Sequence, residues 1–268
     1  MKPTRLTETP ETLLIPLWAR ARETKRSDAI IRDEKALEML ERIDYDFSRF
    51  ESTWMSQLGV AVRTEILDRA IGEFIQRNPG AVIINLGAGL DTRHERLDNG
   101  KISWYDLDLP EVIDLKKNFF NETDRYHFIS RSLFDFSWMG DLHLSGQPVL
   151  LIAEGLLVYF PEVKVREIMN ELASRFPGGE MLLELLGPAL VGKGRFHDTV
   201  SKIHGAEFRW SLKDSRDMET WNQKIRILEE WYFTDYHRER WGWFGMVTRF
   251  RALKKLLSNR IVHLKFDQ

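Results

Sequence analysis

The stretch Val82-Ile83-Ile84-Asn85-Leu86-Gly87-Ala88-Gly89-Leu90-Asp91-Thr92-Arg93 decides the fold of this chain. Its first residues are apolar and mostly β-branched, which is typical of a strand buried on both faces. The glycines that follow let a ligand approach the backbone, and the residues from Asp91 onward can begin a helix with unpaired N–H groups. A strand, a glycine turn and a helix in this order predict a nucleotide-binding βα unit.

Two classes of cofactor fit this glycine turn. A dinucleotide fold uses Gly-x-Gly-x-x-Gly with an acidic residue about 20 positions later. Thr92 stands at the third glycine position, whereas Asp108 supplies an acid at about the right distance. An S-adenosylmethionine methyltransferase has the same layout, with the acid on the ribose hydroxyls. The turn alone therefore leaves a methyltransferase and an NAD-binding oxidoreductase open.

The composition is that of an ordinary globular protein. The 268 residues suffice for one large domain or one domain with a cap, and the formal net charge of −2 gives no field that would attract nucleic acid or an anionic membrane. There is no cysteine, which excludes disulfides, thiolate metal sites and a cysteine nucleophile and suits the cytoplasm. Because no run approaches ~18 apolar residues, and the N-terminus shows no signal-peptide core, we expect no membrane segment.

The order of apolar patterns predicts an α/β protein. Residues 11–78 show helical spacing, which is strongest from Trp54 to Ile75. From residue 82 onward, short apolar strands alternate with helices, which predicts a parallel sheet with right-handed crossovers. We therefore predict an N-terminal helical cap over residues 1–80 and a Rossmann-like core over residues 81–268.

The alternation weakens after Gly187-Pro188. We predict a lid at about residues 190–240, with a helix over residues 221–237. Residues 241–247 resemble a strand, and residues 261–266 alternate as a closing strand. These last two segments predict an antiparallel edge for the sheet.

Polar or glycine residues follow each predicted strand, at the sheet edge where open α/β proteins bind ligands. Gly87 and Gly89 follow the first strand, Asp108 the second, Ser132-Leu133 the third and Glu154 the fourth. Simple solvation is the alternative interpretation for each carboxylate. Since Glu154 follows an apolar run, its carboxylate needs either a cationic ligand or a neighbouring arginine.

Other candidate residues carry weaker signals. Arg63 lies on the polar side of the 54–75 helix and Lys25 lies in a charged run, and each alone is typical of a solvated charge. The histidines show no metal-ligand spacing, and there is neither a Gly-x-Ser-x-Gly elbow nor a Walker lysine motif. We therefore predict no metal site.

Three motifs in this order resemble the leucine carboxyl methyltransferase family, which includes the tetracenomycin-type polyketide O-methyltransferases. The motifs are residues 85–93 (NLGAGLDTR), 104–113 (WYDLDLPEVI) and 153–159 (AEGLLVY). The resemblance covers roughly residues 10 to 190. It implies a class I methyltransferase with a mostly parallel seven-stranded sheet, helices on both faces, and S-adenosylmethionine as methyl donor without a metal.

The resemblance also assigns residues of the donor site. By position, Arg63 matches the arginine that holds the donor carboxylate, Asp108 the ribose-binding acid and Glu154 the acid that contacts the methionine portion. The donor-loop and adenine-side positions are Gly87, Ala88, Gly89, Ser132 and Leu133. Ser132-Leu133 stand where protein-methylating members have Asp-Leu.

The family site also contains a lysine near the N-terminus. Lys25 is the candidate here, with Arg22 and Arg26 as alternatives.

The leading functional hypothesis is O-methylation of a carboxylate on a small or polyketide-like organic acid. A carboxylate is already ionised at pH 7, so the enzyme needs alignment and exclusion of water rather than a base. Arg63 and Tyr159 are the candidate catalytic residues. The aromatic residues between Trp231 and Phe244 are candidates for an apolar wall, although core packing is the alternative for most of them.

Several alternatives stay open. A phenol acceptor would need a base, for which His94, His197, His204 and His237 are the candidates. A protein C-terminal carboxylate, an NAD-dependent reaction and a non-catalytic binding module are the others. We expect a small-molecule partner and neither nucleic acid nor membrane, while the oligomeric state is not decided by the sequence.

Overall fold

The computed structural model of this chain describes residues 4–5, 11–193, 199 and 207–268. The described N-terminal region is helical, as its spacing predicts. Its helices are α1 (Leu14–Thr24), α2 (Glu34–Arg42) and α3 (Trp54–Arg77). Two short strands, β1 (Thr4–Arg5) and β2 (Ile43–Asp44), pair in parallel.

Seven strands form the main sheet. In chain order they are β3 (Val82–Leu86), β4 (Ser103–Asp108), β5 (Tyr126–Ser130), β6 (Val149–Ala153), β7 (Glu180–Leu185), β8 (Ile225–Tyr232) and β9 (Arg260–Phe266). Their order across the sheet is β5-β4-β3-β6-β7-β9-β8. The first five are parallel, whereas β9 is antiparallel to both β7 and β8. The predicted mostly parallel seven-stranded sheet is confirmed.

Helices cover both faces of this sheet, because successive side chains of a strand point to opposite faces and both kinds are apolar here. All five residues of β3 are buried. Ile83 packs in the cluster that contains α3 residues, and Ile84 packs in the cluster that contains residues of α6 (Glu162–Arg175). The other described α-helices are α4 (Arg93–Leu97), α5 (Pro110–Lys116), α7 (Gly242–Val247) and α8 (Arg251–Leu257).

The helix predicted over residues 221–237 is wrong, because the middle of that segment, residues 225–232, is the edge strand β8. Ile225 and Ile227 are buried while Arg226 between them is exposed, which is the period of a strand. The strand pairs with β9 along its length. A predicted antiparallel edge is therefore present, but β8 rather than residues 241–247 is the partner of the closing strand.

The strand predicted over residues 241–247 is also wrong, because residues 242–247 form α7 and Trp241 ends the short 3-10 helix before it. Trp241 and Phe244 are three positions apart, and their ring centroids lie 6.0 Å apart. A three-residue spacing places two side chains on one face of a helix and on opposite faces of a strand. The packing of these two rings explains the helical outcome.

The division into a cap over residues 1–80 and a core over residues 81–268, with a lid at about residues 190–240, stays a prediction, although residues 225–232 of the lid range belong to the main sheet as β8. The three N-terminal helices all precede the first strand of the main sheet. Residues 194–198 and 200–206 of the predicted lid lie outside the described residues.

Candidate active site

A cavity of about 580 Å³ lies beyond the carboxyl ends of β3, β4 and β6. Its volume is in the range of sites that bind small molecules and cofactors. The predicted residues that line it are Arg63, Gly87, Ala88, Gly89, Asp108, Glu154 and Tyr159. The structure thus brings together most of the residues that the sequence singled out, from four separate segments of the chain.

The glycine turn and Asp108 form one unit at the end of β4. Gly87 and Gly89 have φ angles of +63° and +48°, a region that favours glycine. The Gly89 N–H donates to Asp108 Oδ2 at 2.7 Å, and the Leu109 N–H donates to Oδ1 at 2.7 Å. Burial raises the pKa of Asp108 above its ordinary value, although these two N–H groups oppose the shift. Asp108 is therefore a carboxylate that gains from further hydrogen-bond donors.

Gly87 is also required by its neighbour on the next loop. A Cβ atom at this position would lie 2.6 Å from Cδ1 of Leu156. Leu156 follows β6 by three residues and lines the same cavity. The turn after β3 and the loop after β6 are therefore packed against each other.

Arg63 is buried and doubly paired, which corrects the solvated charge that its position alone suggests. Its Nη2 lies 2.6 Å from Glu154 Oε1, and its Nη1 donates to Glu184 Oε2 at 2.7 Å. The Gly155 N–H also donates to Glu184 Oε2, at 2.9 Å. The partner that the sequence required for Glu154 is thus an arginine.

The two carboxylates held by Arg63 differ in pKa. Burial would raise the pKa of Glu154, but the guanidinium groups of Arg63 and Arg93 hold it below its ordinary value. Burial raises the pKa of Glu184, and Glu154 adds to the shift while Arg63 opposes it. Glu154 is therefore firmly ionised, whereas Glu184 is the less stable anion of the two.

Arg20 is a cavity residue that the sequence interpretation missed. It lies on α1 with only 3% of its surface exposed. Its Nε donates to Asp33 Oδ2 at 2.8 Å, and its Nη2 donates to the Leu90 carbonyl at 2.8 Å. The signal available in the sequence is its spacing, since Arg20 stands three residues after the buried Leu17 on the inward face of the helix.

Lys25, Ser132 and Leu133 do not line the cavity. Lys25 is exposed at the end of α1. Ser132 Oγ accepts a hydrogen bond from the Phe134 N–H at 3.2 Å, and Leu133 packs in the core beneath the sheet. Near Asp108 the cavity is instead lined by Leu109 and Val112.

The alternatives to Lys25 also lie away from the cavity. Arg22 is exposed, and Arg26 pairs with Asp28 at the surface.

Tyr159 follows Glu154 by five residues and lines the same cavity. Its ring centroid lies 5.7 Å from that of Phe208. Burial raises the pKa of Tyr159 to about 12, with a further contribution from the charge of Glu184. The hydroxyl is therefore protonated at neutral pH and available as a hydrogen-bond donor.

The part of the cavity lining that comes from the C-terminal region is mostly apolar and aromatic. Its lining from the C-terminal part of the chain includes Phe208, Phe233, Trp241, Phe244 and Leu257, together with the neutral polar residues Thr234, Ser258 and Asn259. Three of these rings belong to the region in which the sequence predicts an aromatic wall. Trp243, in contrast, is 61% exposed and does not line the cavity.

A buried ion pair attaches this wall to α1. Arg240 donates to both carboxylate oxygens of Glu23, at 2.7 and 2.9 Å. Glu23 is fully buried, and burial would raise its pKa, but Arg240 and backbone N–H donation lower it. The next residue, Trp241, donates through Nε1 to the Tyr236 carbonyl at 3.0 Å. The aromatic wall is thus fixed to the N-terminal helices by directional bonds.

A metal-ligand cluster and a membrane-spanning helix are both absent from the described residues. In that part of the chain, no group of three or more His, Asp or Glu side chains is placed to hold a metal ion. No helix in the described ranges is both long enough and apolar enough to cross a membrane.

Comparison with known proteins decides the family. A model of the leucine carboxyl methyltransferase family matches residues 14–173. The chain belongs to this family. Among relatives, it is 32% identical over 232 residues to the tetracenomycin polyketide synthesis O-methyltransferase TcmP of Streptomyces glaucescens, an alignment covering 86% of this chain and 85% of the relative. It is 29% identical over 266 residues to the S-adenosyl-L-methionine-dependent methyltransferase dpfgK of Gibberella zeae. This alignment covers 90% of this chain and 88% of the relative.

Solved structures agree with this family at the level of the fold. A DUF574 family protein from Streptomyces avermitilis has a TM-score of 0.61 at 12% identity, covering 97% of this chain and 98% of that one. Magnesium protoporphyrin IX methyltransferase from Synechocystis PCC 6803 has a TM-score of 0.54 at 12% identity. This match covers 88% of this chain and 100% of that one. The class I methyltransferase fold predicted from the sequence is confirmed.

Family membership also decides between the two cofactor classes that the glycine turn left open. The predicted S-adenosylmethionine-dependent methyltransferase of the leucine carboxyl methyltransferase type is confirmed. The roles of individual site residues and the identity of the methyl acceptor are matters for proposal.

Proposed function

We propose that this member of the family transfers a methyl group from S-adenosylmethionine to a carboxylate of a small, apolar organic acid. The observation that carries the proposal is a single cavity with two chemically different sets of lining residues, which we call its donor end and its acceptor end. One end holds Asp108, Arg20 and Glu154, and the other is lined by aromatic rings and neutral polar groups. The first end suits a charged nucleoside, and the second suits an apolar acceptor.

The charges of the cavity fit the methyl donor. Its charged lining residues are Arg20, Arg63, Asp91, Asp108, Glu154 and Glu184, so acids outnumber arginines. A ligand that carries a sulfonium and an ammonium group is therefore favoured over a dianionic pyrophosphate. In addition, Arg63 Nε is buried without a hydrogen-bond partner among the described residues.

Each donor group has a matching residue in this arrangement. Asp108 would accept hydrogen bonds from the ribose hydroxyls, and Glu154 would bind the ammonium. We assign the carboxylate of the donor chiefly to Arg20, because the two Nη atoms of Arg63 already bond Glu154 and Glu184. Gly87, Ala88 and Gly89 would lie against the nucleoside. Lys25, Ser132 and Leu133 do not enter this proposal, since they lie away from the cavity lining.

The residues at the acceptor end would orient the acid and exclude water. When bound, S-adenosylmethionine supplies a methyl group on a positively charged sulfur, and the carboxylate oxygen takes it with no proton transfer. The hydroxyl group of Tyr159 would donate a hydrogen bond to the acceptor carboxylate, because the raised pKa of Tyr159 keeps the hydroxyl protonated. Phe233, Trp241 and Phe244 would contact the apolar body of the acid and keep water away from the reacting oxygen.

A phenol is the second candidate acceptor, because Glu184 lines the cavity and burial raises its pKa towards that of a useful base. Of the histidines considered as bases, His94 and His237 do not line the cavity, and His197 and His204 lie outside the described residues. A protein C-terminus is a third acceptor to test.

Calorimetric titration with S-adenosylhomocysteine and with NADH tests the cofactor half of the proposal. We expect heat with the former and none with the latter, and the reverse result would contradict it. Turnover is then measured as S-adenosylhomocysteine release with aromatic acids, phenols and a peptide ending in a free carboxylate. A rate that is flat from about pH 6 to 8 supports a carboxylate acceptor, whereas a rate that rises with one ionisation supports a phenol.

A further inference from the structure

Eight charged side chains form one continuous series of ion pairs in which the sign of the charge alternates. Both end members of the series line the cavity. In order, its members are Arg20, Asp33, Arg96, Asp68, Arg93, Glu154, Arg63 and Glu184. We call this series the ion chain.

The first half of the ion chain runs behind the glycine turn. Arg20 Nε lies 2.8 Å from Asp33 Oδ2, and the same oxygen lies 3.0 Å from Arg96 Nη1. Arg96 Nε then lies 2.9 Å from Asp68 Oδ2. Asp33 also accepts hydrogen bonds from the Ala36 N–H, as the N-cap of α2, and from the Thr92 hydroxyl. Helices α1 to α4 are therefore joined at this point.

The second half reaches the loop after β6. The other oxygen of Asp68 lies 2.6 Å from Arg93 Nε, and Arg93 Nη2 lies 2.8 Å from Glu154 Oε2. Arg93 also pairs with Asp91. Only 1% of the Arg93 side chain is exposed, so all three of its nitrogens are used by carboxylates rather than by water.

The members of the ion chain fall into two groups. Arg20, Glu154, Arg63 and Glu184 line the cavity. Asp33, Arg96, Asp68 and Arg93 do not line it, yet they are the complete connection between Arg20 and Glu154. The second group therefore touches no ligand in the cavity and acts only through its neighbours.

We propose that Asp68, Arg93 and Arg96 are positioning residues for the methyl donor, because they fix the separation of Arg20 from Glu154. This inference rests on the proposed function, in which those two end groups bind the amino-acid portion of the donor. An α-amino acid carries its carboxylate and its ammonium on one carbon, so a site that binds both must hold a cation and an anion at a set distance. A change of a few tenths of an ångström in the distance between this cation and this anion weakens both contacts at once.

Asp68 is the member on which the chain depends most. It lies between Arg93 and Arg96, whose positive charges repel each other, and it neutralises both. Without that negative charge, Arg93 retains only Asp91 and Glu154 as partners, while Arg96 retains Asp33. The two guanidinium groups would then move apart and carry Glu154 and Arg20 with them.

The test compares Asp68→Asn with a matched control, Asp98→Asn. Asp98 accepts two N–H groups of Arg125, at 2.6 and 2.9 Å, and its side chain is 23% exposed, against 21% for Asp68. It does not line the cavity and lies outside the ion chain. The measurements are the dissociation constant for S-adenosylhomocysteine, the KM of the donor and of the acceptor, and the midpoint of thermal unfolding.

We expect Asp68→Asn to weaken S-adenosylhomocysteine binding about tenfold, within the range found for network residues that touch no ligand. The donor KM should rise in parallel while the acceptor KM stays unchanged. Asp98→Asn should leave the dissociation constant and both KM values unchanged. Its midpoint of thermal unfolding should be similar to that of Asp68→Asn. Asp68→Glu, which restores the charge, should recover most of the affinity.

The outcomes separate this inference from the function on which it rests. A wild-type protein that binds no S-adenosylhomocysteine contradicts the proposed function itself. A wild type that binds, together with an Asp68→Asn variant that binds as well as Asp98→Asn, overturns the positioning role. If Asp68→Asn does not fold, Arg96→Lys replaces it, and an unchanged donor affinity for that folded variant has the same meaning.

Discussion

The two ends of the cavity are built in different ways. At the donor end, the ion chain and the bonds between Asp108 and the glycine turn hold each polar group in one direction. At the acceptor end, the lining is mostly apolar rings, and Phe244 is only partly buried. Directional bonds suit a ligand with one fixed pattern of charges, whereas apolar contacts depend on area and shape.

This difference predicts how each end responds to substitution. Removal of a charge from the donor end leaves its partner buried and unpaired, so both stability and donor affinity fall. Removal of a ring from the acceptor end leaves a larger apolar space, so acceptor affinity falls while the donor site is unchanged. Three substitutions test this comparison, in order of decreasing expected effect.

Arg63→Met should cause the largest loss of stability. It leaves Glu184 without its guanidinium and Glu154 with Arg93 alone, and removal of one partner of a buried ion pair costs about 3–5 kcal/mol. The free energy of unfolding is measured by chemical denaturation at pH 8 and pH 5. The double variant Arg63→Met with Glu184→Gln should recover part of the loss, because it also removes the second charge.

The pH dependence of Arg63→Met has a definite sign. The pKa of Glu184 is already raised by burial, and it rises further when the opposing Arg63 is removed. A carboxyl group whose pKa is higher in the folded than in the unfolded state stabilises the folded state as the pH falls. The deficit should therefore shrink from pH 8 to pH 5. An equal deficit at both values would show that the two acids are not the cause.

Asp108→Asn should weaken S-adenosylhomocysteine binding by about 10- to 100-fold, because a hydrogen bond to a charged group contributes ~1.5–3 kcal/mol. Since burial raises the pKa of Asp108 and the ionised form accepts the ribose hydrogen bonds, wild-type affinity should fall as the pH drops through that pKa. The variant should lack this dependence. A dissociation constant equal to that of the wild type would remove Asp108 from the donor site.

Phe244→Ala should have the smallest effect, raising the acceptor KM about tenfold for loss of part of a phenyl contact. Affinity for S-adenosylhomocysteine should be unchanged. Trp243→Ala is the matched control, since Trp243 is the adjacent aromatic residue, is 61% exposed and does not line the cavity. A loss of donor affinity in Phe244→Ala with an unchanged acceptor KM would contradict the division of the cavity.

The donor end could be predicted from the sequence because its signals are local. An apolar run, two glycines and a proline at the start of α5 mark the sheet and its loops without knowledge of distant contacts. The C-terminal region lacks such signals. Strand β8 contains charged residues at a spacing that also fits a helix, and its pairing with β9 decides the outcome.

Charged residues show the same limit. The basic run at residues 20–26 indicates a cationic segment, but only the packing of α1 determines that Arg20 faces inward and Lys25 outward. Arg63 looks solvated in its own helix because Glu184, which binds it, lies 121 residues away. Local patterns identify which groups can be charged, whereas tertiary contacts identify which charges are paired.

The contact between Gly87 and Leu156 has a consequence for engineering. A side chain at position 87 would displace the Leu156 methyl groups and would also be strained, because the φ of this residue is +63°. A smaller residue at position 156 removes the collision but leaves the backbone strain. The shape of this part of the cavity is therefore better varied at position 156, with glycine kept at position 87.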